Sequence, residues 1–168
     1  MLLPQHRAAH LKHLVKILTL CLFFGTLAHA DMGKLVPLED IQQLSRQSKQ
    51  HQIPILLMVS QYHCSYCDRM KEEILEPMLL DLEYQQRVLI RELSIDPGET
   101  VTSLQGKREE AADFASQYNV SVTPTLLFLD AEGREAAERI IGINTVDFLI
   151  LYIDDAIKQA TTRMQSAD

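Results

Sequence analysis

A chain of 168 residues with 46% hydrophobic and 6% aromatic content has the material for one hydrophobic core and one ordinary domain. Its 16 Lys and Arg stand against 23 Asp and Glu, a net charge of −7, so there is no basic surface to neutralise phosphates and no nucleic-acid partner is expected. Three cysteines are too few for the disulfide framework of a small secreted scaffold.

The first thirty residues read as a segment apart from the fold. "MLLPQHRAAHLKHLVK" carries Arg7, Lys12 and Lys16 and no acid; the apolar run "ILTLCLFFGTL" follows, then "AHA". A basic region, a short apolar region and a small-x-small site make a secretory signal peptide, 1–30, cleaved after Ala30 to leave a domain of residues 31–168 that begins at Asp31. The apolar run is too short to span a bilayer comfortably, so no stable membrane insertion is expected once it is cut. Cys21 follows Leu20, where a lipoprotein would have a small residue, so acylation is not expected. Removal of the segment leaves 13 basic against 23 acidic residues, a net charge of −10, and only Cys64 and Cys67.

Along the rest of the chain, residues 38–50 suggest a short polar helix with Leu38, Ile41 and Leu44 on one side. "IPILLMVS", 53–60, is a continuous apolar run bounded by polar residues, as a central buried strand would be. From Cys67 the pattern turns helical, with Cys67, Met70, Ile74 and Met78 sharing a face and Pro77 placed to kink or divide the helix. "RVLIRELSI", 87–95, is a second strand closed by "DPGE". A polar loop over 97–106 and a helix over 107–118, aligned on Ala111, Phe114, Ala115 and Tyr118, come next. "TPTLLFLD" is a buried strand, "AEGRE" a turn and "AERIIGI" its hairpin partner. A last amphipathic helix sets Val146, Leu149, Ile150, Ile153 and Ile157 at helical spacing. This order predicts an α/β sandwich with a mixed central sheet.

The chemistry gathers at "SQYHCSYCDRM", residues 60–70. A strand, then Cys-x-x-Cys, then a helix places Cys64 at a helix N-terminus, where unsatisfied N–H groups and the positive dipole end favour the thiolate. Cys67, one turn on, is close enough to form a disulfide with it and more shielded. This makes Cys64 the expected nucleophile and Cys67 the resolving thiol, with His63 adding positive charge nearby. Structural zinc would need four ligands, and past residue 30 only His51 and His63 offer further nitrogens. A static disulfide and a thiol site for a soft ion such as Cu(I), in a metallochaperone, stay open as alternatives. Tyr62 and Tyr66 are either surface aromatics or part of an apolar docking patch beside the thiols.

"VSVTPTLLF", 120–128, follows the cysteine pair by about sixty residues. With the pair and the closing "DAEGRE" and "RIIGI", it resembles the thioredoxin superfamily, and in particular its exported single-domain members, over roughly residues 38–160. The resemblance implies a thioredoxin-like three-layer sandwich with helices flanking a mixed sheet. It implies a cis bond at Pro124 opposite the Cys-x-x-Cys, and a Thr123 backbone that pairs with an extended substrate, with Tyr66 beside it. Gly142 matches a recurrent glycine of the closing hairpin. Two departures stand out: Ser65 and Tyr66 lie between the cysteines where cytosolic members have Gly-Pro, and Met58 stands where those members bury an acid.

Together these features predict a periplasmic, monomeric thiol–disulfide oxidoreductase, a reductase or electron carrier for protein disulfides, with a monomeric disulfide isomerase as a further alternative. The dithiol stores the electrons itself, so no cofactor is expected. An electron donor in the membrane or periplasm must reduce it again.

Overall fold

The computed structural model describes residues 33–143 and 146–166. The expected signal peptide, its cleavage point and Cys21 lie outside the described residues.

Asp40 opens the first helix, α1 (Ile41–His51), where its carboxylate accepts the Gln43 N–H at 2.9 Å. A cap of this kind is worth about 1 kcal/mol. Ile41 and Leu44 turn inward from α1, and Leu38 is buried just ahead of it. The strand that follows, β1 (Ile55–Ser60), is buried at all six positions, as expected for a strand covered on both faces. Beside it lie β2 (Leu89–Ser94), parallel, and β5 (Thr125–Leu129), antiparallel; β6 (Ile140–Ile141) adds to the far side of β5. The sheet order is β2-β1-β5-β6.

The chain from β1 to β2 is helical in pieces: α2 (Ser65–Met70), a π-helical turn (Lys71–Leu75), α3 (Glu76–Leu80) and α4 (Leu82–Arg87). Pro77 lies in the first turn of α3 and has no N–H to return to the preceding turn, so the helix divides just ahead of it. Cys67, Met70, Ile74 and Met78 are buried as the spacing predicts, and Leu75 joins them. The last helix, α6 (Val146–Ser166), buries Leu149, Ile153 and Ile157. Ile150 departs from the predicted face and is 37% exposed, while Ala156 and Ala160 complete the inward stripe. The side chain of Val146 lies outside the described set.

Helices cover both faces of the sheet. On one face α2, α3 and α6 pack on Leu56, Met58, Ile90, Leu126 and Phe128. On the other, α1 and α5 (Ala111–Ser116) pack on Ile55, Leu57, Val59, Leu93, Leu127 and Leu129. This is the three-layer arrangement with a mixed sheet that the sequence implies.

Two predicted elements differ from expectation. The loop over 97–106 and the start of the helix at 107 are instead a hairpin, β3 (Thr100–Thr102) against β4 (Arg108–Glu110), with Gly106 at a φ of +76 in its turn. The helix begins only at Ala111, whose N–H is held by Glu99 O at 2.8 Å. The hairpin partner read at 137–143 shrinks to the two residues of β6. The chain before it runs irregularly past Asp130, whose carboxylate accepts the N–H groups of Glu132 and Arg134 and pairs with the Arg134 side chain.

Candidate active site

The thiols sit at the end of the sheet where β1 stops. After Ser60 the chain turns sharply through His63, at a φ of +57, to bring Cys64 to the N-cap of α2. Asp96 pins this turn: it accepts Tyr62 N–H at 2.7 Å and Ser94 Oγ–H at 2.6 Å. Those two bonds, the Ser94 one first, hold the Asp96 carboxyl below its ordinary range. A depressed folded value means the bonds are fully present above the unfolded carboxyl value, near about 3.9, and are lost as pH falls through the lower folded value. The Tyr62 amide resonance should therefore titrate with a midpoint below that of an ordinary aspartate, and Asp96→Ala should remove the transition. A midpoint at or above the ordinary value would show that these bonds do not hold the turn.

Cys64 and Cys67 form a disulfide, with an S–S distance of 2.09 Å and 5.1 Å between their Cα atoms. Cys64 Sγ accepts the Cys67 N–H at 3.1 Å, and the Cys64 carbonyl accepts the N–H groups of Cys67 and Asp68. One helix-terminal N–H, that of Cys67, thus points at the Cys64 sulfur, a contact suited to stabilising negative charge there. Cys64 is partly exposed, whereas Cys67 is wholly buried.

Across from the pair, the Thr123–Pro124 bond is cis and leads into β5. Thr125 pairs with Val59 near the end of β1, so Pro124 stands at the same end of the sheet as the cysteines. Thr123 Oγ lies 3.7 Å from Cys64 Sγ and 3.2 Å from Gln61 Oε1. Gly142, at a φ of +70, donates its N–H to Pro124 O at 2.8 Å and ties β6 to the same place. The fold therefore gathers Cys64, Cys67, Thr123 and Pro124. Tyr66 stands beside them, 58% exposed. His63 instead packs edge-on against Tyr62, with ring centroids 4.3 Å apart. Among the described residues, Thr123 is the side chain outside the disulfide that hydrogen-bonds Cys64 Sγ, and Cys64 also packs against the apolar cluster beneath it.

Three polar residues, Ser60, Lys71 and Glu92, meet beside α2, and Lys71, whose place in the helical pattern predicts an outward side chain, is three-quarters covered. Glu92 accepts Ser60 Oγ–H at 2.6 Å and pairs with Lys71 at 3.1 Å; Lys71 also reaches Asp68 at 3.5 Å. Burial pulls the Lys71 ammonium down, but the bond and charge of Glu92, with Asp68 adding, outweigh it and hold its pKa above the ordinary value. A signal was present in the sequence: Glu92 lies two residues after Ile90, in the inward register of its strand. Among the described residues no three His, Cys, Asp or Glu side chains group closely enough to hold a metal ion.

The family of proteins with a thioredoxin-like domain matches residues 41–157. The chain belongs to the thioredoxin-like family. It is a thioredoxin-like oxidoreductase with a Cys-x-x-Cys pair. Among solved structures, it is similar to a DsbH oxidoreductase, with 20% identity over 78% of this chain and 90% of that one, at a TM-score of 0.57. It is also similar to thioredoxin O2 from Arabidopsis thaliana in its oxidised state, with 22% identity over 76% and 97% of the two chains, at 0.50. A third likeness is thioredoxin f from spinach chloroplast in its long form, with 18% identity over 76% and 89%, at 0.52. At such identities these likenesses show a shared thioredoxin fold. No curated protein matches the chain in sequence. Among the described residues no helix is long and apolar enough to cross a membrane.

Proposed function

We propose that this thioredoxin-like protein is a periplasmic reductant or electron carrier for protein disulfides, exported by a signal peptide cleaved after Ala30 and active as a monomer. The observation that carries the reading is the asymmetry of the pair: Cys64 is partly exposed at the N-cap of α2, where its sulfur accepts the Cys67 N–H, and Cys67 is fully buried. In the reduced protein, Cys64 thiolate attacks one sulfur of a substrate disulfide, and the other substrate sulfur leaves as a thiolate and takes up a proton. Cys67 then loses its proton and attacks Cys64 Sγ, which expels the second substrate thiolate. Two electrons pass to the substrate, and the Cys64–Cys67 disulfide is the oxidised product. Thr123 and Pro124 hold the substrate backbone as an added strand, with Tyr66 against its side chains. A thiol donor in the membrane or periplasm restores the dithiol, and no cofactor takes part.

The test uses protein recovered from an exported fraction, its start at Asp31 checked by intact mass. The dithiol form should reduce insulin at a rate well above that of free dithiothreitol. A protein that binds Cu(I) tightly and leaves insulin disulfides intact would overturn the reading.

A further inference from the structure

A threonine hydroxyl carries one proton, and two acceptors face that of Thr123: Gln61 Oε1 at 3.2 Å and Cys64 Sγ at 3.7 Å. We propose that Gln61 is a positioning residue for the nucleophile. Its side-chain amide accepts the Thr123 hydroxyl proton while the disulfide is closed, and turns over to donate to Thr123 Oγ once Cys64 is a thiolate. The proposal rests on the reading of Cys64 as the attacking thiol.

Three observations support it. Gln61 follows β1 directly and Thr123 stands just ahead of β5, so their bond joins the two segments that meet at Cys64. The Thr123 hydroxyl lies farther from Gln61 Oε1 than in an ordinary O–H···O bond, and farther still from the sulfur, so neither acceptor locks it. Gln61 is exposed, and its Nε2 has no protein partner among the described residues. Rotation about its last torsion, which is soft in an amide side chain, therefore breaks no contact except the one to Thr123.

A disulfide sulfur is uncharged and a weak acceptor, so in the closed pair the proton goes to the amide oxygen. Reduction by a dithiol donor passes two electrons to the pair and breaks its S–S bond, and the donor closes its own disulfide. One donor proton ends on Cys67, the other goes to solvent, and Cys64 is left as a thiolate. A hydrogen bond to a charged acceptor is about twice as strong as a neutral one, so the Thr123 hydroxyl turns to Cys64 Sγ. Gln61 Oε1 then loses its donor, and Thr123 Oγ presents a lone pair. Turning the amide brings Nε2–H to that lone pair and polarises the hydroxyl toward the sulfur. A carboxylate in the same place can accept but never donate. The titratable groups on the turn and the first turn of α2 are Tyr62, His63, Tyr66 and Asp68, with Asp96 bonded to the Tyr62 N–H; the facing segment 120–125 carries none.

The test follows alkylation of the reduced full chain by iodoacetamide as a function of pH, with the modified cysteine identified by peptide mass spectrometry. Cys64 should react first, with a midpoint below the ordinary thiol value of about 8.5. Gln61→Ala should raise that midpoint by about half a unit, a roughly threefold loss of thiolate below it, the size of one neutral hydrogen bond. Gln61→Glu should raise it by about one unit, because it adds a charge and holds the Thr123 proton away from the sulfur. In a Thr123→Val background the Gln61→Ala shift should vanish, and the Gln61→Glu shift should fall by about half to the part due to charge alone. An unchanged or lowered midpoint in Gln61→Ala, or equal shifts in the two backgrounds, would overturn the inference. Alkylation of Cys67 ahead of Cys64 would overturn the reading of the nucleophile, and the inference with it.

Discussion

Protein carrying Cys67→Ser should accumulate partners as covalent, reductant-sensitive adducts on Cys64, while Cys64→Ser should neither turn over nor trap. The first substitution keeps the reachable sulfur and removes the thiol that would release its mixed disulfide. The second leaves Cys67 alone, wholly buried behind the start of α2, where a substrate disulfide cannot approach it. Both variants should lose steady-state insulin reduction completely, so the difference between them lies in the adducts. Non-reducing gels of extracts, with and without a reductant, read it directly. Equal trapping by the two variants would mean that the roles of nucleophile and resolver are assigned the wrong way round.

Phe128→Ala should cost about 4 kcal/mol of folding stability, a large share of the 5–15 kcal/mol typical of a domain. Phe128 is fully buried on β5, pairs with Leu56 across the sheet and packs in the same core cluster as Cys67 and the helices α2 and α6. Its removal opens a cavity that a central strand, fixed on both edges, cannot close by moving. The urea midpoint should fall by about 2 M at a slope typical of small proteins. Leu82→Ala, at a position 70% exposed, should stay within about 0.5 kcal/mol and serves as the control. A loss below about 1 kcal/mol at Phe128 would mean that this face is not the core.

The parts of the fold that show in the sequence are those whose apolar residues repeat at a fixed interval. The run at 55–60 reads as a strand buried on both faces, and Cys67, Met70, Ile74 and Met78 read as one helix face, because burial alone sets both patterns. The β3–β4 hairpin escapes such reading. Of its strands, Val101 is the only fully buried residue, and the "KREE" run at its second strand is made of good helix formers. Its first strand is also tied by the Thr102 N–H to Glu39 O, a partner far away in the sequence that no local pattern announces. Ile150 misleads for the opposite reason: it fits the helical interval, yet small Ala156 and Ala160 fill the inward stripe and leave it at the rim. At the site, the cysteine spacing and the Thr123–Pro124 pair are local and visible. The Ser60, Lys71 and Glu92 cluster is built from three separate elements, and only the inward register of Glu92 on β2 gives a hint of it.

The π-helical turn at Lys71–Leu75 bears on how this chain should be compared with others. A turn closed by i to i+5 bonds holds one residue more than an α-helical turn spanning the same length, and the Glu76 N–H reaching back to Lys71 O is such a bond. A relative whose helix runs straight through this region matches both flanks only when a one-residue gap is placed inside 71–75. An ungapped alignment would put every position from Glu76 to Leu80 against a neighbour rotated by about 100°, and would exchange inward Met78 for an outward residue. The length of this segment is thus a marker that can sort relatives into those that share the inserted turn and those that do not.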